Sequence, residues 1–202
     1  MEVSNICDDA SVDLSAEDFI NSLLWTNPNE ECEETDDVAG YNIYYTETDG
    51  GEFRLIETIT DAGEITYEHQ PDFGVAGCYF VTAIDSTGNE SASSNIVCLD
   101  NCPLYELPNV FTPNGDGANE LFIPLRHRFI DHIEISVFNR WGQLVFETED
   151  LNINWNGTNL NGEDLAEATY FYKCIVFEQR VTGVVASDEV LSGFIEIVRG
   201  RR

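Results

Sequence analysis

The stretch "CYFVTAIDSTGNESASSNIVC", residues 78–98, decides the fold. Tyr79, Val81 and Ala83 alternate on one face, the period of a half-buried strand. Gly88 and Asn89 then supply a tight turn. Cys78 and Cys98 lie ten residues either side of Gly88, so a hairpin centred there sets them opposite one another. Opposed residues of an antiparallel pair have the Cβ separation a disulfide needs where the pair is not hydrogen-bonded. A Cys78–Cys98 bridge is therefore expected.

Runs of the same kind recur on both sides of this hairpin. "YNIYYT", "FRLIETI" and "EITYEH" precede it; "HIEISVFN", "QLVFET", "TYFYKCIVFE" and "GFIEIV" follow. Each is short, alternating or aromatic, and bounded by Gly, Asn or Asp. Many such strands at regular spacing predict an all-β chain built as sandwiches. The only segment with any helical periodicity is "SAEDFINSLL" (15–24). At 202 residues two domains are expected. The seam is "CLDNCPLYELP" (98–108), which holds two Cys and two Pro, and it divides the chain into 1–102 and 103–202.

The charge steps down at the same place. Residues 1–102 carry one basic residue, Arg54, against 23 acidic ones; residues 103–202 carry eight against 15. The total of −29 repels phosphate backbones and anionic lipid, which argues against nucleic-acid binding. No apolar run approaches the roughly 20 residues of a membrane-spanning helix. The start, "MEVSNICDDASVDL", lacks a basic region and an apolar core, so it is not a leader peptide and the sequence reads as part of a longer chain.

Catalytic signatures are missing. There is no GxSxG, no HExxH and no phosphate loop, and the abundant carboxylates single out no pair, so no enzymatic activity is expected. The six cysteines form no CxxC pair, and the three histidines are not spaced beside them as zinc ligands. An even count suggests disulfides and an oxidising compartment.

Residues 11–99 resemble a fibronectin type III or immunoglobulin-like module, on Trp25, Tyr41–Tyr45 and the 78–98 hairpin. In such a sandwich the chain start and the second-to-third strand loop share a pole, which implies a Cys7–Cys32 bridge. Cys102 and Cys174 remain, and their pairing would tie the seam to the second domain.

Residues 107–199 resemble the gliding-motility-associated C-terminal domain, the type B sorting domain of the Bacteroidota type IX secretion system. The matching stretches are "PNVFTPNGDGANE" (108–120), "ISVFNRWGQLVFE" (135–147), "WNG" (155–157), "TYFYKC" (169–174) and "GFIEIVR" (193–199). The resemblance implies two consecutive Ig-like sandwiches, the second a signal for export and surface attachment and the first a spacer. It also implies recognition by the type IX translocon and an outer-membrane partner barrel, with the two domains acting as monomeric modules of a larger surface protein. The signal motif would include Pro113, Asn114, Gly115, Asp116 and Gly117, and the "FNRWG" residues Asn139, Arg140, Trp141 and Gly142. Alternative functions are a calcium-dependent adhesin or glycan-binding module, or accessory domains of a surface polysaccharide-degrading enzyme.

Individual motifs also have plain structural roles. Ile133, Ile135 and Val137 alternate as the buried side of a strand, and Gly142 turns the chain into the next. Trp141 reads first as a core or rim aromatic and second as a docking residue, Arg140 as the partner of a carboxylate ahead of a contact for another protein, Trp155 as a packed loop aromatic, and "TYFYKC" as a core strand. For "NGDGANE" two readings stay open. Asn114, Asp116, Asn119 and Glu120 offer hard oxygens suited to Ca2+; alternatively Asn and Asp side chains bond the loop's own amides.

Overall fold

The computed structural model describes residues 1–5, 7, 19–31 and 37–200. They divide into two compact units, Met1–Cys102 with Arg180–Gly183, and Pro103–Gln179 with Val184–Arg202. Among the described residues the only helical element is the turn Pro28–Glu31; everything else regular is strand. Of "SAEDFINSLL", Asn21–Leu24 is strand, because Leu23 must reach the core while its neighbours face out.

The described residues of the first unit form a seven-stranded antiparallel sandwich. One sheet orders β1 (Glu2–Asn5), β2 (Asn21–Leu24) and β5 (Thr66–His69) as β1-β2-β5. The other orders β3 (Val38–Thr46), β4 (Arg54–Ile59), β6 (Gly77–Asp85) and β7 (Val97–Leu99) as β4-β3-β6-β7. Tyr41, Ile43 and Tyr45 of β3 meet Tyr79 and Val81 of β6, and Leu23 and Trp25 close the core from the other sheet. Burying each such side chain contributes about 1.5–3 kcal/mol. The β6–β7 register sets Cys78 opposite Cys98, and the two are joined. The turn between them needs Gly88 at φ +87°. Asp85 caps it, accepting from the amides of Thr87 and Asn89 at 2.8 Å each.

Two expected bridges are corrected. Cys7 bonds Cys102, not Cys32, which lies outside the described residues. Glu2 of β1 pairs with Leu24 at the end of β2, so the chain start does share a pole with the loop that follows β2. Four extended residues then span roughly 13 Å. That carries Cys7 past Asn5 to the opposite pole, where Asn5 Nδ2 reaches the Asp100 carbonyl after β7. Cys174 makes no bridge to Cys102: it is a free thiol, fully buried, whose pKa burial pushes up to about 12.

The second unit is built on one large sheet with a thin cover. Its sheet orders β12 (Leu144–Thr148), β11 (Ile130–Phe138), β13 (Ala168–Arg180), β15 (Leu191–Ile197) and β9 (Val110–Phe111), with β14 (Gly183–Ala186) paired to β13. All pairs on the central path are antiparallel except β9, which runs parallel to β15. The cover is the ribbon of β8 (Leu104–Glu106) and β10 (Arg126–Arg128), together with the bridge between Phe122 and Trp155. Trp155 is 1% exposed and central. Its ring lies 5.2–6.3 Å from those of Phe146, Phe111, Tyr170 and Phe122, and its Nε1 donates to the Thr158 carbonyl at 2.8 Å. Ile133, Ile135 and Val137 fill the sheet's inner face beside Tyr170, Cys174 and Val176.

Candidate functional site

The register of the large sheet decides where the signal-like motifs lie. Phe138, the last residue of β11, pairs with Phe171 near the start of β13, which pairs with Phe194 in the middle of β15. Ile197 at the end of β15 pairs with Phe111 at the end of β9. The 112–120 loop, the 139–142 hairpin tip, the 156–167 segment and Arg199 therefore all emerge at one pole. Motifs up to 87 positions apart in the chain become neighbours there.

Within the 112–120 loop the side-chain oxygens turn inward. Asn114 Oδ1 accepts from the Asp116 amide at 2.9 Å, Asp116 Oδ1 from the Ala118 amide at 2.9 Å, and Glu120 Oε1 from the Gly117 amide at 3.0 Å. Asn114 Nδ2 adds a bond to Asp116 Oδ2, and the Asn119 carbonyl accepts from the Thr112 amide. Bonds from the Ala118 amide and the Asn114 side chain hold the Asp116 carboxyl below its usual value; the Gly117 amide does the same for Glu120. Chemically this is a self-capped turn. One side-chain oxygen of each of Asn114, Asp116 and Glu120 is thus spent on the loop's own amides. Of the four residues in that ligand set, Asn119 has the left-handed backbone, φ +52°, that lets the loop close.

Arg199 joins this loop to its neighbours. Its guanidinium donates to the carbonyls of Pro113 at 2.9 Å, Gly157 at 3.2 Å and Leu165 at 3.3 Å, and lies 3.6 Å from Asp164. Gly157 sits at φ +79°, and a Cβ there would press on Arg199, Phe111 and Pro113 at 3.3–3.4 Å. The glycine of "WNG" is thus needed for both its backbone and its lack of a side chain. Within "GFIEIVR" the signal for Arg199 is a basic residue that closes an apolar strand in so acidic a chain.

The hairpin tip uses the same chemistry. Asn139 Oδ1 accepts from the amides of Trp141 and Gln143, both at 3.0 Å, and Gly142 follows in a left-handed conformation. Here two expectations are corrected. Trp141 is not a core or rim aromatic: it is 81% exposed, because the turn ends before the side chain can fold back onto the sheet. Among the described residues Arg140 has no carboxylate partner; its guanidinium lies over the Trp141 ring at 5.3 Å. The "TYFYKC" strand also divides differently, with Tyr170 and Cys174 buried and Phe171 48% exposed.

Residues 105–195 match the family described as the CHU_C type IX secretion signal domain. This segment is a type IX secretion signal domain. A signal of that kind marks a secreted protein and implies contact with the secretion machinery. The matched residues include the 112–120 loop, the hairpin tip and Trp155, whereas Arg199 lies just beyond them. No curated protein matches the chain. Solved structures similar to it include the FN1–FN3 domains of chicken CNTN1, at 11% identity, TM-score 0.34, covering 88% of this chain and 63% of that one. A tetra-tandem repeat from the extending region of a large adhesion protein gives 16%, 0.38, 96% and 48%. Dimeric latent PorU from Porphyromonas gingivalis gives 16%, 0.29, 90% and 18%. The chain thus spans less than two thirds of each, and the fold described above rests on its own strand order. Among the described residues no helix is long and apolar enough to cross a membrane.

Proposed function

We propose that the second unit is the export and surface-attachment signal of a Bacteroidota cell-surface protein, read in its folded form at the pole described above. The outer-membrane translocon of the type IX system and a partner barrel are its receptors, and the first unit is a non-catalytic spacer. The observation that carries this reading is convergence. The loops that bear the family's motifs lie far apart in sequence, and Arg199 fastens two of them, the 112–120 loop through the Pro113 carbonyl and the 156–167 segment through the Gly157 and Leu165 carbonyls. A receptor that reads such a pole reads a folded object, not a linear tag. Residues 103–202 fused behind a leader peptide and a fluorescent reporter should carry the reporter to the surface of a gliding Bacteroidota host. Periplasmic retention of that fusion, in cells exporting their own cargo normally, would overturn the proposal.

A further inference from the structure

The outer face of the large sheet carries apolar groups that the core does not use. Phe138, Phe171 and Phe194 stand in one row across β11, β13 and β15. Phe171 and Phe194 are 48% and 44% exposed. The next row along is Ser136, Lys173 and Ser192. Two open depressions of about 520 and 420 Å³ flank Lys173 and share Phe138, Lys173 and Ser192.

The charges on this face are unusual for the chain. Lys173 is the only lysine in the sequence. Arg54, Arg126, Arg180 and Arg199 each pair with a carboxylate, yet among the described residues neither Lys173 nor Arg140 does so, although the chain has 38 acidic residues. Two unpaired cations thus flank an exposed aromatic row. A solvated face would have no need of the row, and although Glu134 lines the larger depression together with Lys173, the two make no ion pair among the described residues.

We propose that the Phe138–Phe171–Phe194 row with Lys173 is the surface on which a protein of the export machinery docks, through an apolar side chain set beside a carboxylate. The inference rests on the reading of the second unit as an export signal. Aromatic anchors in a depression supply most of the energy of such contacts, and the unpaired cations select an acidic partner. A second copy of this chain is disfavoured, since each brings a net −29, and anionic lipid is repelled by the same charge. The row is continuous with the signal pole: Phe138 is followed directly by the Asn139–Gly142 tip and its exposed Trp141.

The test uses the reporter fusion with Phe171→Ser/Phe194→Ser, Lys173→Glu and Lys173→Arg, each also purified as the 202-residue chain to compare melting temperatures. The double variant should lower export about tenfold or more, as loss of an anchor does. Lys173→Glu should lower export too, while Lys173→Arg keeps it. Should the double variant unfold, Phe194→Ser and Lys173→Glu carry the test, since both side chains are exposed. Normal export of folded Phe194→Ser and Lys173→Glu refutes the docking surface while leaving the export signal standing. Failure of the unmutated fusion refutes the export signal, and this inference with it. Sedimentation showing a dimer that Phe171→Ser dissolves, or flotation with phosphatidylcholine–phosphatidylglycerol vesicles, would reassign the row to a second copy or to lipid and so refute it.

Discussion

Arg199→Ala removes the fastening of the signal pole, and its cost follows from the contacts. The guanidinium serves three carbonyls at 2.9, 3.2 and 3.3 Å. Bonds to a charged donor contribute roughly 1.5–3 kcal/mol each when both partners stay buried. These acceptors lie on loops that water can reach once the arginine is gone, so about 1 kcal/mol per bond is the better figure. The Asp164 contact adds essentially nothing, because that carboxylate is 77% exposed. The sum is about 3 kcal/mol, which for a domain of this size lowers its melting temperature by roughly 12–24 °C. Lysine reaches at most one of the three carbonyls, so Arg199→Lys should recover no more than a third of the loss. Hydrogen exchange separates a local from a global effect: amides of 112–120 and 157–165 should lose protection well before those of β11 and β13. A shift under about 3 °C with unchanged loop protection would mean that Arg199 does not hold the pole together.

Non-reducing peptide mapping should recover Cys7–Cys102 and Cys78–Cys98, with Cys174 as a thiol that resists alkylation until the fold is opened. By loop closure alone the first bridge, 95 residues apart, stabilises by about 4.7 kcal/mol and the second, 20 apart, by about 3.3 kcal/mol. Serine replacement of each pair, followed by denaturant titration, should preserve that order. If the 112–120 loop is self-capped, neither chelator nor millimolar calcium should move the melting temperature, and Asp116→Asn should lower it only slightly; a calcium-dependent rise that Asp116→Asn abolishes would reverse the assignment. The pKa of His69 is lowered, chiefly by burial and secondarily by Arg54, while its Nδ1 meets the Tyr79 hydroxyl at 2.8 Å. The folded state therefore binds the proton less readily than the unfolded chain. Stability should be intact above about pH 6.5 and fall on acidification toward the lower folded value. His69→Gln should flatten that slope in urea titrations.

What was legible in the sequence was local. The 78–98 hairpin could be read because one glycine fixes its centre and every other position follows by counting. The cysteine partners could not, since Cys7 depends on which way a four-residue strand runs across the sandwich, and no nearby residue reports that direction. The strand Ala168–Arg180 shows a second limit. In "TYFYKCIVF" both parities are apolar, so alternation alone cannot separate Tyr170 and Cys174, which are buried, from Phe171, which is not. The same limit hid the aromatic row. Arg199 stayed out of view because its three acceptors sit 34 to 86 residues away.

The Cys7–Cys102 bond also settles how the first unit behaves under load. Tension that enters the chain before Cys7 and leaves it after Cys102 crosses between two Cα atoms 5.4 Å apart and never passes through the strands between them. Strands β2 to β7 hang outside the load path, so of the paired strands only β1, which precedes Cys7, can be peeled away by pulling on the ends. Reduction of that one bond puts the 95-residue loop back in series, and stretching then releases about 320 Å of slack. As a tether, the segment from Cys7 to Cys102 is inextensible while oxidised and a long compliant leash once reduced.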